Sequence, residues 1–381
     1  MPAYKQDRMY RYLIILTLCS IGGLQCWRTL FDNFAVTAAG LDGQHMGTIQ
    51  SFREIPGFLA LLVTYVILVI KEHKLSALSI FIMGAGIFMT GFLPSFSGLL
   101  VTTLVMSFGF HYYETTNQSL TLQYFDTRTS PLVFADQNRY SAVANMVVGG
   151  VIFCLAPFLG FVSMYVLFGS LICLAGLWAF TQSPDATPTA PQHKKLILKK
   201  KYWLYYFLTF MAGARRQIFV AFAVFLLVKK FQFSIQEITL LFLANNVIKF
   251  FISPYIGKFI LRYGERKLLS LEYVSLSLIF VSYAYVDSAF LVGVLYILDH
   301  IFFNFSLGIK TYFQKIAEPG DIAASAAVGF TINHIAAVIL PVLGGLAWMV
   351  DYKIPFLAGA VFSLISLGLV QLIRLPAPAP R

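Results

Sequence analysis

Charge is what this sequence has least of. Asp, Glu, Lys and Arg together make up 12% of its 381 residues, about half the share that a water-soluble domain carries. Hydrophobic residues make up 58%, and the mean hydropathy is +0.75. A surface facing water needs far more polar side chains than this, which excludes the soluble classes. Cysteine is scarce too, and Cys19, Cys26, Cys154 and Cys173 all fall in apolar stretches. They form neither a disulfide framework nor a metal-ligand spacing, and they read as small buried apolar residues. No G-x-x-x-x-G-K-[ST] phosphate loop occurs, which removes an ATP-driven mechanism. No H-E-x-x-H, G-x-S-x-G or C-x-x-C occurs either. Long polar connections are also missing, so no soluble catalytic domain fits. The expectation is a protein that is not an enzyme and that uses no cofactor and no metal.

What is present is a chain of apolar runs. Crossing the hydrocarbon takes about 20 mostly apolar residues. The runs place spans at roughly 11–36, 46–70, 75–93, 96–121, 139–159, 162–181, 202–228, 235–260, 268–287, 289–313, 322–349 and 354–374. Phe (37) and Tyr (20) are abundant, as suits rings set against lipid and at its interfaces. Lys5, Arg8 and Arg11 before an apolar run imitate a signal peptide. No small-residue cleavage site follows, and the run continues past Ala35, so this is the first span.

The net charge of +11 would suggest a nucleic-acid partner in a soluble protein. Here it is a topology signal, and no nucleic-acid partner is expected. An even number of spans puts both termini on one side. That side holds Lys5, Arg8, Arg11, Lys71, Lys74, Arg128, Arg139, Lys194, Lys195, Lys199, Lys200, Lys201, Arg262, Arg266, Lys267, Lys315, Arg374 and Arg381, against Lys229, Lys230 and Lys353 on the other. Positive charge favours the cytoplasmic face, so both termini are expected there, in a plasma or inner membrane. The longest connection, 182–201, opens with a Ser/Pro/Thr/Ala run and closes with a basic one. That composition cannot pack a core and reads as a flexible tether. It divides the chain into residues 1–181, the linker 182–201 and residues 202–381, with six helices in each half.

The halves repeat at an offset of about 185–190 residues. Arg28, Phe31, Phe34 and Ala35 in span 1 answer Arg216, Phe219, Phe222 and Ala223 in span 7, both as R-x-x-F-x-x-F-A. His111 in span 4 answers His300 in span 10. Pro157 to Gly160 in span 5 answers Pro341 to Gly344 in span 11. Parallel repeats of this kind suit a carrier whose halves rock about a shared site. The predicted fold is all-α and integral to the membrane, with twelve transmembrane helices in two parallel six-helix repeats.

With these spans, linker and repeat, the chain resembles the major facilitator superfamily over nearly its whole length. The loop after span 8 carries Gly257, Arg262, Gly264, Arg266 and Lys267 and is similar to the family's gate motif G-x4-R-x-G-x-R-[KR]. The resemblance implies that its arginines pair across the helix ends and hold one conformation. The family's acidic residue before the first arginine is replaced by Leu261. The loop after span 2 keeps only Lys71, His73 and Lys74, whereas typical members have the better copy there. Ala156 to Phe161, and Leu340 to Gly345, partly match the G-P-x-x-G-G motif common in exporters.

Inside the spans lie Arg28, Asp32, Arg53, Glu54, His111, Glu114, Arg215, Arg216, Lys249, Asp299, His300, Lys310 and His334. A charge at a helix centre costs at least about 2.5–3.5 kcal/mol, so these groups must pair, line water or face the bundle interior. Spans 1, 4, 7 and 10 line the cavity in the resembled family, and they carry most of the set. Leaving the histidines aside, cations exceed anions, which suits an anionic substrate. Arg28 and Arg216 are equivalent in the repeat and could clamp one anion, since guanidinium groups match carboxylate or phosphate. Family members that exchange organic phosphates use one cavity arginine from each half. Alternatively, Arg28 only pairs with Asp32 one turn away. Arg215 points about 100° from Arg216, and the repeat favours Arg216 as the one facing the cavity. His111 and His300 are candidate proton or substrate groups, or simple interhelical hydrogen bonds. Tyr112 and Asn304 complete the expected substrate lining. Asp32, Glu114 and Asp299 read as proton-coupling groups or as counter-ions. Arg53, Glu54 and Lys249 read as structural, and His334 with Asn333 as a polar helix contact.

These readings give a secondary carrier working by alternating access, for a small organic anion, with proton coupling or exchange, acting as a monomer in the lipid bilayer. The alternative is a proton-coupled exporter of cationic or neutral amphiphiles of the multidrug type. A more remote one is an intramembrane enzyme or a sensor.

Overall fold

The computed structural model describes residues 2–41, 43–184, 198–233 and 235–374. Much of the expected linker therefore lies outside the described residues, as do Lys194, Lys195 and Arg381. Among the described residues no strand occurs, and the helices group into twelve rods. They are α1 (Arg8–Thr37), α2 (Gly43–Arg53, with short turns Ile55–Phe58, Leu59–Leu62 and Val63–Val66), α3 (Glu72–Thr90), α4 (Phe96–Tyr124), α5 (Ser130–Leu155) and α6 (Phe161–Thr181). The second set is α7 (Trp203–Ile218, Phe219–Ala223 and Val224–Lys229), α8 (Ile235–Tyr263), α9 (Glu265–Tyr285), α10 (Ala289–Phe303, Asn304–Ser306 and Leu307–Ile316), α11 (Ile322–Val350) and α12 (Lys353–Val370).

Eight rods are, taken singly, long and apolar enough to cross a membrane. Among the other four, α2 and α7 are interrupted, and α4 carries a buried polar stretch from Thr115 to Thr121. The expected continuous span 46–70 is corrected here: α2 breaks after Arg53. Pro56 has no amide hydrogen to continue the ladder, and it sits at the first turn of the next short helix. In α7, residues Phe219–Ala223 form a π turn. Side chains close several helix starts. Asp7 accepts from the Met9 amide at 2.6 Å, and Ser95 from the Gly98 amide at 3.1 Å, satisfying amides that a helix start leaves open.

The chain forms two compact units. Unit 1 comprises Met1–Asp126, Asp136–Ile197 and Pro319–Thr331; unit 2 comprises Thr127–Ala135, Leu198–Glu318 and Ile332–Arg381. The first turns of α5 thus belong with unit 2, and the first third of α11 with unit 1.

Unit 1 is built around α3, which packs on α4 and α6 almost backbone to backbone. A methyl group on Gly169 would stand 2.6 Å from the Phe88 amide nitrogen, one on Gly176 2.7 Å from that of Phe81, and one on Gly109 would overlap the Met83 and Ser79 backbone. The N-terminal segment is tied to α5 through Asp136, which takes hydrogen bonds from the Tyr4 and Tyr10 hydroxyls and pairs with Lys5 at 2.9 Å.

Unit 2 has an aromatic and aliphatic core in which Phe219, Phe222, Phe280, Tyr283, Tyr296 and Phe356 meet. The far end of α7 is pinned there: Lys230 Nζ donates to the Val286 carbonyl (2.8 Å), the Asp287 carboxylate (2.9 Å) and the Tyr352 hydroxyl (2.8 Å). The Lys230 hydrogen bond holds the exposed Asp287 carboxyl below its ordinary range. Before α11, Glu318 takes hydrogen bonds from Lys199 (2.7 Å) and Lys201, which hold its carboxyl down at about 2.

The glycine contacts make α4 a test of this packing. Gly109→Val should destabilise the protein by about 1–3 kcal/mol or more, the usual range for overpacking. Gly149→Val, at a position with nothing within 4 Å, should leave stability unchanged. Melting temperatures of the purified variants in detergent report both.

Candidate functional site

In unit 1 the break in α2 creates the polar centre. It releases the Arg53 carbonyl, which accepts a hydrogen bond from Ser107 Oγ on α4. The Arg53 guanidinium pairs with Glu54 at 2.6 Å and lies 5.6 Å from the Trp27 ring centroid on α1. Asp32 is within its electrostatic reach. His111 Nδ1 is 2.9 Å from both the side-chain and main-chain oxygens of Ser107. A carbonyl only accepts, so in neutral His111 the proton sits on Nδ1 and Nε2 is the acceptor. The Glu54 carboxylate and the His111 ring approach within 4.8 Å. Trp27 stacks on Phe31 at 4.3 Å, and Phe330 meets the His111 ring edge-on at 5.9 Å.

Of the expected residues of this half, His111 and Asp32 belong to that centre. Arg28 and Asp32 are exposed, Tyr112 and Glu114 half-buried, and His111 buried. Tyr112 packs against the Val63, Leu75 and Ala327 cluster. Arg53 and Glu54, expected to be structural, pair with each other where α2 breaks. The Pro56-Gly57 break two residues on was the available signal, because a broken helix frees backbone groups and redirects side chains.

In unit 2 adjacent arginines part company. Arg215 is fully buried. It donates to Ser366 Oγ on α12, lies 3.7 Å from Glu272 on α9, and stands 4.4 Å over the Tyr273 ring. Asp299 on α10 is in electrostatic reach of both Arg215 and Glu272. Both carboxylates are wholly buried. Asp299 therefore lies at the Arg215 cluster in the interior. Glu272 was missed in the sequence reading, although a lone acid just inside the ninth span was visible.

Arg216, half-buried, lies about 100° round the helix and shares a stripe with Phe219, three residues on. The Phe219 ring stacks on Tyr296 at 5.2 Å and meets His300 edge-on at 4.7 Å. His300 Nδ1 donates to the Tyr296 carbonyl (3.1 Å), and Asn304 donates to the His300 carbonyl (2.6 Å) where the α10 ladder tightens into a 3₁₀ turn. Lys249 on α8 is within electrostatic reach of His300. Asn333 donates to the Thr209 carbonyl at 3.3 Å.

The turn between α8 and α9 has the expected glycines in special places. A methyl on Gly257 would stand 2.8 Å from the Pro131 carbonyl oxygen, and Gly264 has φ +79°, a left-handed backbone that favours glycine. Arg262 lies over the Tyr263 ring at 5.2 Å, and Arg266 donates to Gln371 at 3.1 Å across the end of α12. Both arginines and Lys267 are exposed. The ion pair of this turn is instead formed by buried Glu265 and Lys315, at 2.7 Å, and the motif spacing did not announce it.

No family model and no curated protein matches the sequence. Solved structures do match. The human organic anion transporter MFSD10 (TETRAN) aligns at TM-score 0.76 and 12% identity, over 97% of this chain and 100% of its own. A bacterial homologue of the iron transporter ferroportin, in an outward-facing state, aligns at 0.77 and 14%, over 95% and 98%. FucP, a major facilitator superfamily transporter in an outward conformation, aligns at 0.75 and 11%, over 96% and 99%. The chain thus has the fold of the major facilitator transporters, a multi-pass membrane fold, over almost its full length.

Removing one partner of a buried ion pair leaves an uncompensated charge and costs about 3–5 kcal/mol. Arg215→Leu should therefore lower stability by about that much, and Arg215→Leu/Glu272→Leu should recover part of it. Arg216→Leu, at a half-buried position, should be milder. Denaturation of the purified variants in detergent ranks the three.

Proposed function

We propose that the protein is a secondary carrier that moves a small organic anion across the membrane by alternating access between the halves 1–181 and 202–381. The observation that carries this reading is the sorting of charge in unit 2. The membrane-embedded carboxylates Glu272 and Asp299 lie beside Arg215 in the interior. The face beyond it carries the basic residues Arg216 and Lys249, with His300 and the rings of Phe219 and Tyr296. A face that carries cations, with the carboxylates set apart behind it, attracts anions. Arg28, the repeat equivalent of Arg216, is the corresponding contact from the first half. One neighbour of this fold is named as an organic anion transporter. At 12% identity that likeness shows the fold alone, and the anion reading rests on the side chains.

Coupling belongs to the same proposal. Protons or a counter-transported anion drive the cycle, with Asp32, Glu114 and Asp299 as the carboxylates available to carry a proton. The turn holding Gly257, Arg262, Gly264, Arg266 and Lys267 is the conformational gate. Both termini face the cytoplasm, as the distribution of lysine and arginine implies, and the working unit is a monomer.

Thermal stabilisation in detergent tests the substrate class. A ligand at about 100 times its dissociation constant stabilises by about 2.7 kcal/mol. Organic anions should raise the melting temperature of the wild type, and Arg28→Ala or Arg216→Ala should abolish the rise, with Lys353→Ala as an unaffected control. Stabilisation by organic cations that survives both arginine changes would defeat the anion reading in favour of the amphiphile exporter.

A further inference from the structure

Facing stripes of α8 and α10 form one wall of the basic, aromatic face in unit 2. On α8, Phe242, Asn245 and Lys249 are spaced three and four residues apart, so they share a stripe. On α10, Tyr296 and His300 share another. The stripes meet at both ends: the Phe242 and Tyr296 rings are 6.1 Å apart, and Lys249 reaches His300 electrostatically. Asn245 is held between these two contacts.

The Asn245 side chain is 6% exposed, and neither its amide nitrogen nor its amide oxygen has a hydrogen-bond partner. Burying such a group unpaired costs about 1–3 kcal/mol, and buried polar groups in native proteins are nearly always paired. A leucine would fill the same place without that penalty. The same wall carries three aromatic rings: Phe219 stacked on Tyr296, and Phe242 packed against Tyr296.

We propose that Asn245 is a substrate-recognition residue, and that the anion carried is aromatic, with a ring-borne hydrogen-bonding group placed to meet this amide. This rests on the anion reading above and narrows it. The rings of Phe219, Phe242 and Tyr296 take the planar body of the substrate, since offset or edge-on ring contacts add to simple burial. Lys249 and Arg216 take its carboxylate. The carboxamide offers both a donor and an acceptor, so it suits a ring hydroxyl or amino group and leaves an unsubstituted ring unrecognised.

The experiment measures dissociation constants by thermal shift on the full chain in detergent. The probes are benzoate, 4-hydroxybenzoate, 4-aminobenzoate and cyclohexanecarboxylate, with succinate as an aliphatic anion. The wild type should bind the substituted benzoates tightest and cyclohexanecarboxylate weakest among the ring acids. Asn245→Leu should weaken the substituted benzoates by about three- to tenfold, the loss of one hydrogen bond, and leave benzoate unchanged. Its ligand-free melting temperature should equal or exceed the wild type's, which a structural role for Asn245 would not allow. A fall in that temperature, or equal losses for benzoate and its substituted forms, would overturn the proposal. So would succinate or cyclohexanecarboxylate binding the wild type as tightly as the substituted benzoates, in which case the anion reading survives alone. If no anion binds, the anion reading fails and this inference falls with it.

Discussion

A charge inside hydrocarbon has only the protein to answer it. Water is absent, and leaving such a group alone costs more than a typical fold can spare. The arrangement of Arg215, Glu272 and Asp299 is the clearest expression of that constraint. Three helices and a serine from a fourth close around one guanidinium, and Tyr273 covers its face. The pairing fixes the rotation of α7. With Arg215 turned inward, Arg216 has to point elsewhere, and the aromatic face carrying Phe219 goes with it. In unit 1 the same constraint is met by Arg53, answered by Glu54, Asp32 and the Trp27 ring. The two solutions differ. Unit 2 buries its pair between two helices, α7 and α9, whereas unit 1 pairs neighbouring residues where α2 breaks.

The rods were legible because hydrophobic length is a property of consecutive residues. Each of the twelve expected spans has a helical counterpart, even where α4 places polar residues from Thr115 to Thr121 in its interior. The parting of Arg215 and Arg216 was also legible, since 100° per residue follows from helix geometry alone. The break in α2 is written at Pro56-Gly57, but the pairing of Arg53 with Glu54 there depends on how the helix redirects its side chains. The π turn at Phe219–Ala223 has no glycine or proline to mark it. It is coupled to tertiary packing, because Gly344 leaves room for the Phe222 ring that this turn directs inward. The roles of Glu272 and Glu265 depend on partners on other helices, and one stretch of sequence cannot name them.

The halves repeat in sequence but not in the way they are held together. Unit 1 packs α3 against α4 and α6 through glycines that admit no side chain. Unit 2 fills the corresponding space with rings, as where Phe280 lies under Gly359 and Tyr283 stacks on Phe356. Backbone contact leaves little freedom to slide, while stacked rings can shift against one another at small cost.

Helix α7 is held near its middle and at its far end. Near its middle Arg215 is held by Ser366 and Glu272, and at its far end Lys230 is held by Val286, Asp287 and Tyr352. Between the clamps the hydrogen-bond ladder departs from the α pattern only at Phe219–Ala223. Tightening that π turn into α geometry would expel one residue and screw the downstream segment by one helical step, about 100° and 1.5 Å. A rod fixed at two points can take up torque only where its winding is adjustable. The π turn is therefore the torsion joint of α7, and Phe219, the ring nearest His300, is its first residue.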